Sequence, residues 1–170
     1  PASTTPFPKP LTLTITHHKG SLFAAPPNTV LIHACNVLGS WGAGIALAFR
    51  NSYPNAYKRY RAHCVSTHDP QTNPVPTGTC LLIPPCEGHN GAKNHWIACL
   101  FTSARYGKAR DSPQQILDAT GPAMRHLLRQ LEEQRAKGKT VAGLRMCKIN
   151  SGLFGVKWER TVEVLEGIEV

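Results

Sequence analysis

Apolar and polar positions change period several times along the chain, and each change predicts an element. Leu11 to Thr16 alternates apolar residues with threonine, the pattern of a strand with one face on a core. Thr29 to Cys35 is apolar and rich in β-branched residues, as expected of a central strand covered on both faces. The run stops at Asn36; Gly39, Gly42 and Gly44 follow, and Ile45, Leu47, Ala48 and Phe49 open a helix that reaches about Ser52 and restarts at Pro54. Gly78 to Ile83 reads as a strand stopped by Pro84, and His95 to Thr102 as a second buried strand. Ser112-Pro113-Gln114-Gln115 is a capping box. Behind it Ile116, Thr120, Met124, Leu127 and Leu131 keep helical spacing, with Pro122 predicted to kink the helix after Gly121. Thr140 to Ile149 is the last strand, Asn150 to Gly155 a second glycine loop, and Trp158, Val162 and Leu165 the inner face of a final helix. Strands alternating with helices predict an α/β layered sandwich.

Both glycine loops leave a buried strand and enter a helix. Glycine lets backbone approach a ligand closely, and the first N–H groups of a helix with its dipole attract an anion by ~0.3–1 kcal/mol when exposed. A plain strand-to-helix turn has the same outline. The order GxxGxG at Gly39, Gly42 and Gly44 is not the dinucleotide fingerprint GxGxxG. Gly138-Lys139-Thr140 lacks the glycine of a Walker A loop, having Glu133 there, and precedes a strand. In α/β sheets ligands collect beyond the carboxyl ends of strands, so two such loops side by side suit a diphosphate.

Composition narrows the partners. The 170 residues are 41% hydrophobic and 17% charged, with no apolar run approaching a membrane helix, which predicts one domain with one core and no membrane partner. PASTTPFPKP lacks a signal-peptide core and reads as a disordered lead-in over residues 1–10. Six cysteines without a CxxC pair read as reduced thiols of a cytoplasmic or nuclear protein, and no histidine stands at HExxH spacing, so neither metal nor cofactor is expected. A net charge of +9 favours phosphate-rich partners. The basic residues are scattered and lack interleaved aromatics, which speaks against nucleic acid and for a small dinucleotide.

HACNVLGSWGAGIALAF together with KINSGLFGVKWERTVEVL, supported by KGSLF and LFTS, resembles the macro domain, the ADP-ribose-binding fold, and within it the yeast-type ADP-ribose 1″-phosphate phosphatases; the similarity spans most of Leu11 to Glu166. The resemblance implies a three-layer α/β/α sandwich with a mixed central sheet, residues 11–170 forming a single macro domain, expected as a monomer. It implies that Gly20, Ser21 and Leu22 border the adenosine end of ADP-ribose. Ala34, Cys35 and Asn36 would border the distal ribose. Trp41, Gly42, Ala43, Gly44, Ile45 and Ala46 would hold the diphosphate from one side, and Asn150, Ser151, Gly152, Leu153, Phe154 and Gly155 from the other. Ser21 stands where many macro domains have an adenine-binding aspartate.

Asn36 can bond a ribose hydroxyl or form an Asx turn that ends the strand. His33 has the position of a core histidine; the resemblance implies a catalytic role for it, with an acidic residue in the loop after LFTS. Asp111 is the carboxylate of that loop and equally a helix-terminus acid. Backbone N–H groups alone do not supply the rate that phosphate-monoester hydrolysis requires, so His33, Asp111 and a cation such as Arg105 or Lys108 are the candidates at the terminal phosphate. Macro domains that release ADP-ribose from glutamate use an aspartate in the second glycine loop, and Phe154 stands there instead. ADP-ribose 1″-phosphate is thus the expected substrate and ADP-ribose the expected ligand; the alternatives are a reader of ADP-ribose without phosphatase activity and a hydrolase acting on ADP-ribosylated proteins.

Overall fold

The computed structural model describes residue 2 and residues 5–170. Four strands form one mixed sheet in the order β2-β3-β1-β4. β1 (Thr29–Asn36) lies at its centre, parallel to β3 (Trp96–Ser103) on one side and to β4 (Gly143–Met146) on the other. β2 (Cys80–Ile83) runs antiparallel along the outer side of β3. Every residue of β3 is buried, as is every residue of β1 except Ala34. This explains the nearly unbroken apolar runs, since a strand covered on both faces has no solvent side to mark with polar residues.

The covering layers follow the alternation of side chains along the strands. Leu31, Cys35, Ile97, Cys99 and Phe101 pack under α1 (Gly44–Ser52) and α2 (Pro54–Ala62), against Phe49, Tyr53, Tyr60 and the buried Trp41. Val30, Ile32, Ala98 and Leu100 face α3 (Pro113–Ala136) and α4 (Trp158–Glu166), meeting Met124, Leu127, Leu131 and Leu165. Helices on both faces of a mixed sheet make the expected three-layer sandwich. Among the described residues no helix is long and apolar enough to cross a membrane.

The capping box forms: Ser112 Oγ accepts from Gln115 N–H at 3.2 Å and Ser112 N–H donates to Gln115 Oε1 at 2.9 Å. α3 then runs continuously through Pro122. Two expectations need correction. Leu11 to Thr16 is not a strand of the sheet; it meets the chain's last residues through one bridge, Thr12 to Glu169, with Leu13 N–H bonded to Ile168 O at 3.0 Å. Its alternation still holds, because Leu13 and Ile15 are half-buried on the α4 layer. The last strand is shorter than Thr140 to Ile149, since β4 has partners only along Thr29–Ile32 of β1, and the chain turns at Cys147–Ile149. α2 also continues into a wider turn, His63–Thr67, that nothing in the periodicity indicated. Of the expected lead-in, residues 1, 3 and 4 lie outside the described residues; residues 5–10 are exposed and carry no helix or strand.

Candidate active site

β1 ends at Asn36, which turns the chain with its own side chain. Its Oδ1 accepts from Leu38 N–H at 3.0 Å and Ser40 N–H at 3.4 Å, while Nδ2 donates to Ser40 O at 2.8 Å. This is the Asx turn of the two readings, and it leaves one amide N–H for another acceptor. Tyr60 fixes the same point from below, its hydroxyl donating to Asn36 O at 2.7 Å. Burial, reinforced by the neighbouring thiols, pushes the Tyr60 phenol well above its usual range, so it stays a neutral donor. Gly39 O is held at 3.2 Å by Arg61 and at 3.3 Å by Tyr57. Among the described residues the N–H groups of residues 42–46, at the start of α1, have no protein partner.

The second loop is pinned by Asn150, a non-glycine residue at φ 66°. Its buried amide accepts from Thr102 Oγ1 at 2.8 Å and donates to Thr120 Oγ1 at 3.0 Å, tying β3, α3 and the loop together. Internal turns engage the N–H groups of Ser151 and Gly155, and those of Gly152, Leu153 and Phe154 have no protein partner among the described residues. The loops touch where Leu153 reaches Gly44: at φ 58° and with Leu153 Cδ1 3.3 Å from a notional Cβ, that position takes glycine.

Between them lies a cleft of about 820 Å³. Its lining brings together Ala34–Asn36, residues 41–46 and residues 150–154. Gly155 is adjacent and outside it, and Gly20, Ser21 and Leu22 do not line it: Ser21 opens the short turn Leu22–Ala24, with Leu22 packed on the aromatic layer. Phe154 lines the cleft and packs on Ile116, Leu117 and Val156.

Lys108, Arg110 and Lys148 line the cleft, as do Ser40 and Tyr106, and no carboxylate does. Lys148 escaped the sequence reading because a lone exposed lysine after a strand has no periodic signature. Its position one turn before the second glycine loop was the available signal. Arg105 is not part of the lining.

The two residues expected at the terminal phosphate are not part of the cleft's lining. His33 is fully buried, its ring stacked on Phe49 with centroids 4.0 Å apart and edge-on to Trp41 at 4.7 Å. It supports the wall of the cleft from behind. Asp111 Oδ2 accepts from Ala104 N–H at 3.0 Å and Asp111 N–H donates to Ser103 Oγ at 3.1 Å. It closes the loop that carries Lys108 and Arg110. The His33 ring is taken up by Phe49 and Trp41, and one carboxylate oxygen of the half-buried Asp111 by Ala104 N–H. At the cleft's floor, burial alone would push the Cys35 thiol up; the Cys99 thiol, the His33 ring and the Trp41 indole outweigh it and hold Cys35 down at about 6. The Trp41 N–H is nevertheless a buried donor without a hydrogen bond.

Comparison with known proteins agrees with this architecture. The family model for the macro domain matches residues 32–165. An ADP-ribose 1″-phosphate phosphatase of Chaetomium globosum is 53% identical over 95% of this chain and 87% of its own length. One of the same name from Aspergillus oryzae is 42% identical over 87% of this chain and 86% of its own. Among solved structures, the macrodomain of Mycobacterium tuberculosis DarG superimposes with a TM-score of 0.66 at 20% identity, covering 92% of this chain and 94% of that one. With a family model over most of its length, relatives this similar and the same fold, the chain belongs to the macro domain family.

Proposed function

We propose that the protein hydrolyses ADP-ribose 1″-phosphate to ADP-ribose and inorganic phosphate. The observation that carries this reading is the cleft itself: two loops with unpartnered N–H groups, three cations and no carboxylate. Such a lining favours a ligand with several phosphate charges and lacks the carboxylate needed for covalent release of ADP-ribose from glutamate. The names of the relatives supply the substrate.

The N–H groups of residues 42–46 and 152–154 take the diphosphate, and Asn36 keeps one amide N–H for a ribose hydroxyl. Lys108, Arg110 and Lys148 offset charge at the terminal phosphate as water attacks phosphorus and the O–P bond to ribose breaks. His33 and Asp111 act as positioning residues. His33 fixes Trp41 and the strand end, and Asp111 fixes the loop bearing two of the cations.

Free-phosphate release with EDTA present tests the reading. The parent protein should release phosphate, and Lys148→Ala and Arg110→Ala should each lower kcat/KM by about 10–1000-fold, the range for losing one charge-stabilising group. His33→Asn and Asp111→Asn should lower kcat without removing a limb of the pH–rate profile. Loss of such a limb would make the altered residue an acid–base catalyst instead. Binding of ADP-ribose without any phosphate release would reduce the protein to a reader.

A further inference from the structure

His33 and Cys99 are directly paired across β1 and β3, and Cys35 lies two residues farther on the same face of β1. Linear spacing hides this group, since its members come together only through strand register. One nitrogen of His33, Cys35 Sγ and Cys99 Sγ all lie within 4.8 Å of one another, and Cys35 Sγ is 3.5 Å from His33 Nε2. Zn–S and Zn–N bonds of ordinary length meeting at a tetrahedral angle place sulfur and nitrogen ~3.6 Å apart. The protein alone already provides that separation.

We propose that His33, Cys35 and Cys99 form a binding site for a thiophilic d10 cation, with zinc(II) as the representative ion. Two thiolates and an imidazole are the donor set that soft and borderline cations select over magnesium or calcium. The two thiol protons are released to solvent as the sulfur–metal bonds form. Two further features meet what such a site requires. Cys35 borders the open cleft, which gives an ion a path to an otherwise buried group. The indole N–H of Trp41, fully buried and without a hydrogen bond, supplies a donor to a bound thiolate of the kind that orients metal ligands. The other cysteines are not part of the group. The site shares Cys35 with the lining of the proposed ADP-ribose cleft and His33 with the residues behind it, but metal binding there is read without the reaction assigned to the cleft.

The test is anaerobic titration of the full, thiol-reduced chain with zinc(II), followed by zinc-edge X-ray absorption, with cobalt(II) as an optical probe. One zinc per chain with two sulfur scatterers at ~2.3 Å, and a thiolate-to-cobalt charge-transfer band that weakens in both C35S and C99S but not in C86S, is the expected result. A zinc shell of only nitrogen and oxygen would overturn the proposal, and so would a band unchanged in both serine variants. The absorption measurement needs no variant, so it decides the matter even where a core serine prevents folding. Phosphate release plays no part in these readouts, so failure here leaves the functional reading standing, and the reverse.

Discussion

His126 is a neutral imidazole fixed in one tautomer by its surroundings. Its Nδ1 accepts the backbone N–H of Cys80 at 3.0 Å, so Nδ1 carries no proton, and protonation would set a donor against a donor. Burial, with the Arg129 charge beside it and against the opposing Glu133, holds its pKa below the ordinary histidine value. Burial first, then the neighbouring His68, lowers His63 as well. A base whose folded pKa is depressed binds fewer protons folded than unfolded, so its stability is fully present above pH 6.5 and is lost as pH falls toward and through the folded value. Urea unfolding at about pH 7.5 and about pH 5.5 should therefore give lower stability at the acid end, with a smaller difference in His126→Gln. An equal difference in parent and variant would remove His126 from the account. The same local logic shows what one residue's sequence context conveys. Asn36 after an apolar run announced a chain reversal, and the structure shows it as an Asx turn. Whether His33 faced ligand or core depended on Phe49 and Trp41, brought to it by folding.

α3 was the most legible element because its signals are local: a capping box, proline at the first turn, and apolar residues at helical spacing. Its N-terminus does more than end a helix. Ser112 follows Asp111, whose carboxylate and N–H hold Ala104 and Ser103 at the end of β3. Ser112→Ala should destabilise the protein by about 1 kcal/mol, read as a lower urea midpoint at unchanged m-value. No loss of stability would mean that water replaces the cap without cost. Elements defined by distant partners were less legible. The Leu11 to Thr16 segment has a strand's alternation, but whether it joins the sheet depends on finding an edge, and it meets only the last few residues of the chain. β4 is short for the related reason that β1 offers it four partners. The two loops were legible as loops from their glycines. Of the cleft's cations Lys108 was named from its loop, whereas Arg110 and Lys148 were not, since only folding brings them to one lining.

At the scale of the molecule, charge is distributed unevenly: Asp69 and Glu87 are the only acids in residues 1–110, and every other acid lies in the α3 and α4 half of the chain. The cleft opens with Lys108, Arg110 and Lys148 on its lining and no carboxylate there. Under the proposed function, a diphosphate held in this cleft has a kinetic consequence for the reaction. The diphosphate and both riboses are unchanged by removal of the terminal phosphate, so most contacts that hold the substrate hold the nucleotide product equally well. Binding energy shared by both species lowers KM without raising kcat, and it retains the product on the protein. ADP-ribose should therefore inhibit competitively, with an inhibition constant within about tenfold of KM, a difference of ~1.4 kcal/mol. Phosphate release measured against rising ADP-ribose reads this directly, and an inhibition constant more than ~100-fold above KM would place the main grip on the departing phosphate instead. Under the tighter retention, turnover slows as ADP-ribose accumulates, and the rate of phosphate release follows the supply of free ADP-ribose as closely as that of the substrate.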